Sequence, residues 1–334
     1  MKRLRAIFAA ATFVLTTGMI ANAATWEIPD DFTTIQEAIY NPAVEDGDII
    51  RVNPGNHAGA YVTKSVEIKG EGGAVINDGP LHGSDQIMGF RLLEGSDGAT
   101  ISHLDFNVDL AIMNGGRVAD VSVHHSKFTN PGQAISNWGG DGWEISYNVI
   151  NDLRTRNGGG IGILVADWEG GVVKDNVISH NTITGTLHVG GWYEDPDDEQ
   201  GGYNGSGIVI YADFRGGSLG ASEISNNRVV KNTVSMVLDD PRTQPVPDEN
   251  KVDIVAFELT QAYYPNDPPG YPGPLPEDEV VVKDNNIGYN DWRGTELQMD
   301  ITLGLEEYNN ISRNFGENHG QGLHPLVFGP GGNP

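Results

Sequence analysis

One short motif recurs along the second half of the chain and limits what the chain can fold into. It consists of an asparagine, a β-branched residue two positions later and a second asparagine after three more. A strand that returns with fixed polar ends is typical of a solenoid, in which successive coils stack equivalent residues in columns. The copies are Asn176-x-Ile178-x-x-Asn181, Asn227-x-Val229-x-x-Asn232, Asn285-x-Ile287-x-x-Asn290 and Asn309-x-Ile311-x-x-Asn314.

The spacing of these asparagines predicts the coil length. Asn148 precedes Asn176 by 28 residues and Asn285 precedes Asn309 by 24, which we interpret as one coil each. We interpret the asparagines as corner residues, because asparagine tolerates left-handed backbone angles and can bond along its own column. The other intervals are about twice as long, so we predict loop insertions near 187–207 and 239–279.

The first 24 residues have the composition of a signal peptide. Basic residues at positions 2, 3 and 5 precede an apolar run over 6–20, and Ala21-Asn22-Ala23 is a small-x-small cleavage site. We therefore predict a secreted or periplasmic bacterial protein with one domain over 25–334. No later stretch is apolar enough to span a bilayer, so no membrane association is expected after cleavage.

The charge of the chain narrows the class of partner. It carries 46 Asp and Glu against 20 Lys and Arg, for a net charge of −26, and it has no cysteine. Such a field repels nucleic acid and polyanionic glycans, whereas it tolerates neutral ligands and attracts calcium. We predict no nucleic-acid partner, no required cofactor and a monomer.

The segment from Ile28 to Gly72 carries a family resemblance. It reads Ile-Pro-x-x-Phe-x-Thr-Ile-Gln-x-Ala-Ile, then Gly-Asp-x-Ile-x-Val-x-Pro-Gly, then Ile-Lys-Gly-Glu-Gly. This order resembles the N-terminal cap and first coils of the right-handed parallel β-helix (pectin-lyase-like) superfamily. The resemblance implies an all-β, single-stranded right-handed parallel β-helix of about eight to ten coils with a short N-terminal capping helix, for which Thr34 and Glu37 form a capping box. The catalytic motifs of polygalacturonases and pectin methylesterases are absent from this sequence.

Acidic residues close four of the strand-like runs, and we expect them to stack in one column. Alternation along the strands then predicts that Leu164 and Ala166 face the core, as do the equivalent residues of the later runs. Two earlier runs end in Asn114 and Asn137 at what we take to be the same place. The acidic run ends are Asp167, Asp213, Glu258 and Asp300.

Carboxylates on adjacent coils would lie roughly 4.8 Å apart and repel by about 3 kcal/mol at an effective dielectric near 20. A shared proton, a bridging cation or Arg215 would relieve that repulsion. A protonated and an ionised carboxyl side by side are what acid–base glycoside chemistry uses. We therefore predict catalysis by Asp213, Asp167 and Glu258, or calcium bound at Asp167, Asp213, Glu258 and Asp300. The alternative is that these residues are solvated corner residues.

Aromatic residues near the column predict a polysaccharide ligand, because sugar rings stack on aromatic faces. We predict a carbohydrate-active hydrolase or lyase with its ligand in a groove along the helix. The alternative is a non-catalytic envelope or surface protein that binds glycan or calcium. The predicted substrate-binding residues are Tyr211, Arg215, Trp168, Phe214, Trp192, Tyr193 and Asn137.

Overall fold

The computed structural model describes residues 23–82, 86–155, 160–167, 170–189, 205–212, 223–239, 253–261, 280–302, 304–316 and 319–320. Within these ranges nearly all regular structure is short β-strands. The exceptions are one α-helix, α1 (Ile35–Tyr40), and one turn of 3₁₀-helix (Leu305–Glu307). The predicted all-β class with a single N-terminal helix is confirmed.

The strands, numbered along the chain, form three long parallel sheets. Sheet A contains β1 (Thr25–Ile28), β2 (Ile49–Val52), β5 (Glu67–Gly70), β9 (Thr100–Ser102), β12 (Ser122–His124), β15 (Glu144–Ser146), β19 (Val177–Ser179), β23 (Arg228–Val230), β27 (Asn286–Gly288) and β29 (Asn310–Ser312). Sheet B contains β3 (Gly55–Ala58), β6 (Ala74–Asp78), β10 (Asp105–Phe106), β13 (Lys127–Thr129), β16 (Val149–Thr155), β20 (Thr182–Val189) and β24 (Thr233–Asp239).

Sheet C forms the third wall of the solenoid, and a small fourth sheet lies near its later coils. Sheet C contains β4 (Ala60–Val62), β8 (Gln86–Leu92), β11 (Leu110–Asn114), β14 (Gln133–Trp138), β17 (Ile161–Asp167), β21 (Gly205–Ala212), β25 (Ile254–Gln261), β28 (Leu297–Ile301) and β30 (His319–Gly320), with β7 (Leu81–His82) pairing antiparallel to β8. The fourth sheet contains β18 (Val172–Lys174), β22 (Glu223–Ser225) and β26 (Val282–Lys283).

The pairing order shows that the chain coils. Strands β12, β13 and β14 follow one another into sheets A, B and C, and each pairs in parallel with β15, β16 and β17 of the next coil. A chain that visits three sheets in turn and returns one level further on is a parallel β-helix. The crossover rule for parallel strands makes the right-handed coil the expected hand.

The N-terminal cap forms as its sequence predicts. Thr34 Oγ1 accepts a hydrogen bond from the backbone N–H of Glu37, and the Glu37 carboxylate accepts one from the N–H of Thr33. The apolar face of α1, formed by Ile35, Ala38 and Ile39, is buried. This cap covers the open end of the first coils, which would otherwise expose core side chains.

Columns of apolar residues fill the space between the three sheets. Phe106 stacks on Phe128 with ring centroids 4.9 Å apart, and Phe90 meets Phe106 edge to face. Near the other end Phe257 stacks on Trp292 at 5.6 Å. Full burial of a large apolar side chain contributes roughly 1.5–3 kcal/mol, so the repeated column is the main source of stability.

Two buried asparagine ladders hold the corners of the solenoid. In each, the Oδ1 of one asparagine accepts bonds from the backbone N–H and the side-chain amide of the preceding one, as from Asn181 to Asn232 at 2.9 and 3.0 Å. One ladder runs through Asn176, Asn227, Asn285 and Asn309, and the other through Asn148, Asn181, Asn232, Asn290 and Asn314. The predicted bonding along columns is confirmed.

Two details of the repeat prediction are wrong. Asn148 belongs to the ladder of Asn181, 33 residues later, and not to that of Asn176. The left-handed backbone angle falls on the residue before most ladder asparagines, for example His180 (φ 57°) and Lys231 (φ 60°). The asparagine is therefore selected for its amide bonds and not for its backbone angle.

The predicted insertions overlap regular structure. Leu187 lies in β20 and is a core residue, so the first excursion begins later than expected. Strand β25 (Ile254–Gln261) divides the second predicted insertion, and the flanking residues 240–252 and 262–279 lie outside the described residues. In the part of the chain that is described, no helix has the length and apolarity needed to cross a membrane.

Candidate functional site

Sheet C has an outer face that is largely buried, and this is where the acidic residues lie. On strands β11, β14 and β25 two consecutive residues join the core, such as Ala256 and Phe257 on β25. In the parallel pairing of neighbouring sheet C strands, one residue of each strand is left out of the register at this point. This recurrent irregularity shifts the alternation, so the next residue of each strand points outward.

The outward residues that follow this irregularity form one row across sheet C. Phe257 and Leu259 belong to the core, so Glu258 between them faces outward. Glu258 pairs in register with Val209 on one side and with Asp300 on the other. The row reads Met113, Ser136, Leu164, Val209, Glu258 and Asp300. The row therefore changes from apolar to acidic at β25.

Glu258 is a fully buried carboxyl group whose pKa is strongly shifted. Its side chain has no solvent exposure, and neither carboxyl oxygen has a hydrogen-bond partner among the described residues. Desolvation by burial, followed by the negative charge of Asp300, raises the pKa of Glu258 well above its usual range. The protonated form of Glu258 is thus the favoured one, and its neighbour Asp300 is also fully buried.

The sequence analysis missed two buried hydroxyl groups, Ser206 on β21 and Thr260, which follows Glu258 by two residues on β25. Ser206 lies near enough to Glu258 to favour its ionised form slightly, yet it makes no hydrogen bond of normal geometry with it. The Oγ of Ser206 and the Oγ1 of Thr260 are both buried without a partner in the described ranges. Buried polar atoms without a hydrogen-bond partner are rare in proteins. The oxygens of Glu258, Ser206 and Thr260 are therefore places where a proton, a water molecule or a ligand would supply the missing bonds.

The predicted single column of Asp167, Asp213 and Glu258 is wrong. Asp167 pairs with Ala212, and Ala212 pairs with Gln261. Glu258 therefore lies three residues before the level of Asp167, because β25 continues past it to Gln261. Asp213 follows Ala212 directly and lies outside the described residues.

Asp167 has a different environment from Glu258. The guanidinium Nη2 of Arg117 lies 2.7 Å from Asp167 Oδ1, and Arg117 Nη1 donates to the carbonyls of Gly139 and Val172. Asp167 itself is only 2% exposed. Arg117 thus neutralises this carboxylate and links three segments. Arg215 lies outside the described residues, and the catalytic role of Asp167 stays a prediction.

Asn137 is also engaged inside the protein. Its Oδ1 accepts a bond from the N–H of Gly140, while its Nδ2 donates to the Gly140 carbonyl and to Asn176 Oδ1. Asn114 holds the preceding coil in a similar way through both backbone groups of Trp138. Asn137 is fully buried, so the predicted contact with a polysaccharide is not supported by this geometry.

The predicted inward and outward faces are reversed on one strand. Ile163 and Val165 of β17 belong to the main core, whereas Leu164 and Ala166 belong to a second apolar cluster on the outer face. The prediction was correct for Ile210, which is a core residue. The second cluster consists of Trp138, Ile161, Leu164, Ala166, Val209 and Tyr211.

Tyr211 is the one predicted aromatic contact that lies on the described outer face. It is 2% exposed and packs in that second cluster, in register with Ala166 and Thr260. Its position on sheet C is one coil away from the Glu258 strand. The remaining predicted ligand contacts, Trp168, Trp192, Tyr193, Phe214 and Arg215, lie outside the described residues.

The calcium prediction can be compared with the oxygen atoms present. Calcium takes 6–8 oxygen ligands, and across the described ranges no three acidic or imidazole side chains come together as a metal-binding group. Asp167 is already paired with Arg117. Glu258 and Asp300 are adjacent in register and together offer four carboxyl oxygens. Calcium at Glu258 and Asp300 stays a prediction.

Comparisons with known proteins give limited further information. No protein-family model matches the chain. A "Cell surface glycoprotein" of Methanothermus fervidus is 27% identical over 220 residues, which cover 62% of this chain. The aligned region is 34% of the relative's length, so this chain spans about a third of that protein.

One solved structure is also similar, the tailspike protein of Acinetobacter baumannii phage AM24. It aligns over 82% of this chain and 44% of its own, with 11% sequence identity and a TM-score of 0.24. A likeness this weak carries no argument, so the assignment rests on the sheets themselves. Three stacked parallel sheets, visited in turn by successive coils, give this chain the fold of a parallel β-helix.

Proposed function

We propose that this chain is an exported surface protein that binds a polysaccharide over the outer face of sheet C and hydrolyses it. The observation that carries the proposal is the carboxyl pair of Glu258 and Asp300 on adjacent coils. One member is held in its protonated form by burial and by the charge of the other. Pairs of titratable groups whose environments push their pKa values apart mark acid and base roles.

The separation of the two strands suggests which mechanism the pair performs. Neighbouring strands lie roughly 4.8 Å apart, which is close to the 5–5.5 Å between carboxyl groups of retaining glycosidases. Protonated Glu258 gives its proton to the leaving oxygen while Asp300 attacks the anomeric carbon. Water then cleaves the glycosyl ester, and Glu258 takes back a proton. The sugar released keeps its anomeric configuration.

The charge and the outer face suggest the class of substrate. A net charge of −26 repels polyanionic glycans, so a neutral polysaccharide is favoured. The apolar cluster around Trp138 and Tyr211 lies on the same face as the carboxyl pair. Since Glu258 has no solvent exposure, the residues that bury it must move before a polysaccharide can reach its carboxyl group.

The test is digestion of a panel of neutral and acidic glycans by the wild type and by Glu258→Gln and Asp300→Asn. The exposed Glu94→Gln is the matched control. We expect both pair variants to lose at least about 10²-fold in kcat, the usual contribution of a positioned acid or base, while the control is unchanged. Retained anomeric configuration in the product, seen by NMR, would support the assigned separation.

Two results would overturn the proposal in different ways. Unchanged cleavage by Glu258→Gln and Asp300→Asn removes the pair from the mechanism, and Asp213→Asn then becomes the variant to examine. No cleavage of any glycan by the wild type removes the enzymatic function. Binding of a glycan without cleavage would leave the second candidate below.

The second candidate is a non-catalytic surface protein. It is favoured by the sequence similarity to a protein described as a cell surface glycoprotein. In that case the carboxyl pair is a buried structural contact in which the protonated form of Glu258 is favoured. Calcium binding belongs to the same candidate, and its measurement is the melting temperature with and without a chelator. An unchanged melting temperature would contradict a structural calcium ion.

Export rests on the leader-like composition of the first 24 residues. Cleavage after Ala23 would make the N atom of Ala24 a free ammonium group. That atom lies 2.7 Å from Asp48 Oδ1, so maturation would create an ion pair at the base of the first coil. N-terminal sequencing of the exported protein checks this proposal, and a mature chain that keeps residues 1–23 contradicts it.

A further inference from the structure

A column of stacked rings runs along the corner between sheets A and B. His103 lies parallel to His125 with ring centroids 5.3 Å apart, and His125 lies 5.2 Å from Tyr147. Tyr147 in turn stacks on His180 at 4.7 Å. All four occupy left-handed corner positions, with φ between 53° and 58°. Because the ring faces cover one another, the column offers its edges to solvent and not its faces to sugars.

His124, the last residue of β12, meets this column edge-on. Its Nδ1 lies 3.0 Å from Nδ1 of His125, and the two ring planes cross at 87°. Each neutral imidazole has one nitrogen lone pair. Two Nδ1 atoms at this distance must therefore share a proton or a metal ion.

Both rings are held in place by other contacts. The ring of His125 is stacked between the rings of His103 and Tyr147. His124 sits on a strand whose backbone pairs with β9 and β15 on its two sides. Ligands whose orientation is already fixed bind with a smaller loss of conformational freedom.

We propose that Nδ1 of His124 and Nδ1 of His125 bind one transition-metal ion as neighbouring ligands, with water completing the coordination. With metal–nitrogen distances of about 2.0–2.1 Å, the observed separation gives an angle of about 95° at the metal. A tetrahedral ion would need the two nitrogens about 3.3 Å apart. The geometry fits the tetragonal sites of Cu²⁺ and Ni²⁺ better than a Zn²⁺ site.

The pair is accessible from solvent. His125 is exposed and His124 is partly exposed, so an ion can reach both. No third acidic or imidazole ligand joins the pair among the residues that the structure describes. The site is therefore open, with two protein ligands, and is separate from the carboxyl pair on sheet C.

The test is titration of the full chain with Cu²⁺, Ni²⁺ and Zn²⁺ by calorimetry, together with the EPR spectrum of the Cu²⁺ form. We expect one equivalent of Cu²⁺ per chain, bound more tightly than Ni²⁺ or Zn²⁺, with hyperfine coupling to two nitrogens. His124→Gln and His125→Gln should each weaken Cu²⁺ binding by at least about tenfold, the smallest loss seen when even a supporting partner of a metal ligand is removed.

The control is His188→Gln, which removes an exposed histidine on β20 far along the chain. It should leave Cu²⁺ binding unchanged, and thermal melting should show that all variants remain folded. Equal Cu²⁺ binding by the wild type and by the His124→Gln, His125→Gln double variant overturns the proposal. No Cu²⁺ uptake by the wild type overturns it as well, as does tighter binding of Zn²⁺ than of Cu²⁺.

Discussion

The asparagine ladders and the outer face at Glu258 are two buried polar regions of the same solenoid with opposite bonding. Along the ladders each interior asparagine uses its oxygen and its amide, as Asn232 does toward Asn181, Asn290 and the Ile178 carbonyl. At Glu258 both oxygens lack a hydrogen-bond partner in the described ranges, as do the hydroxyls of Ser206 and Thr260.

This difference separates structural polarity from polarity that is available for function. A buried polar group whose bonds are satisfied contributes to stability and specifies the register of the coils. A buried group left unsatisfied costs about 1–3 kcal/mol, more if charged. A folded protein keeps such a cost where the group has another use, and this is why we place the candidate site on sheet C and not on the ladders.

The largest effect is expected from breaking a ladder at its centre. Asn232→Ala removes the acceptor of the Asn181 N–H and of one of its two amide hydrogens, the other being bonded to the Ile145 carbonyl, and it removes a donor to the Ile178 carbonyl. We therefore expect a loss of about 3–5 kcal/mol in unfolding free energy. Asn314→Ala at the ladder end should cost about half as much, since Asn314 is partly exposed. Urea denaturation measures both. Equal losses would show that the ladder is not cooperative.

The next effect comes from Asp167, a buried acidic residue that is paired with a cation. Arg117→Ala leaves Asp167 buried without its guanidinium partner, and we expect a loss of about 2–3 kcal/mol. Adding Asp167→Asn should restore part of that loss, because it removes the uncompensated charge. A double-mutant cycle by thermal melting measures the coupling. A double variant no more stable than Arg117→Ala would contradict the pairing.

Glu258→Gln should stabilise the protein at neutral pH. A carboxyl whose folded pKa is raised costs stability as the pH rises above its unfolded value of about 4.3, because the unfolded chain releases the proton more readily. We expect a gain of about 1–2 kcal/mol at pH 8 and almost none at pH 4. Melting curves of Glu258→Gln and Glu94→Gln over this pH range test it, and a gain that does not depend on pH would be the contrary result.

Asp48 should show the smallest effect, with the opposite pH dependence. Burial opposes its ionisation, but bonds from the Glu45 N–H, the Trp26 indole and the Ala24 N–H hold the pKa of Asp48 below its usual value. Its stabilisation is therefore present above the unfolded pKa near 3.9 and is lost as the pH falls through the folded value.

We accordingly expect Asp48→Asn to cost about 1 kcal/mol at pH 7 and less at pH 2–3. The exposed Asp105→Asn is the matched control and should change stability little at either pH. Both are measured by urea denaturation. A cost for Asp48→Asn that grows toward acid pH would mean that its carboxylate is not the favoured form.

The fold was predictable because its signals are local and repeated. The capping box at Thr34 is a local signal, whereas the short strands and the asparagine pairs recur along the chain. The structure confirms all three. The Glu258 and Asp300 neighbours were also expected, and they do pair. What failed was the level of Asp167, because run ends were aligned while β25 continues for three residues past Glu258.

A better signal for the register was present in the sequence. Gly160-x-Gly162-Ile163 matches Gly205-x-Gly207-Ile208, and aligning these motifs places Ile163 opposite Ile208, as observed. The same alignment places Asp167 opposite Ala212 and Ile161 opposite Ser206. A shift of a single residue moves every side chain to the other face, which explains why Leu164 and Ala166 were assigned to the wrong side.

The amino-acid sequence by itself determined the solenoid, its cap and its ladders, because periodic apolar residues and paired asparagines have few other ways to be buried and bonded together. Only the tertiary structure decided which carboxylates meet. Register between coils depends on the irregularity within sheet C, and the proximity of Arg117 to Asp167 joins residues 50 positions apart. The stacking that orients His125 toward His124 likewise arises only when successive coils lie on one another.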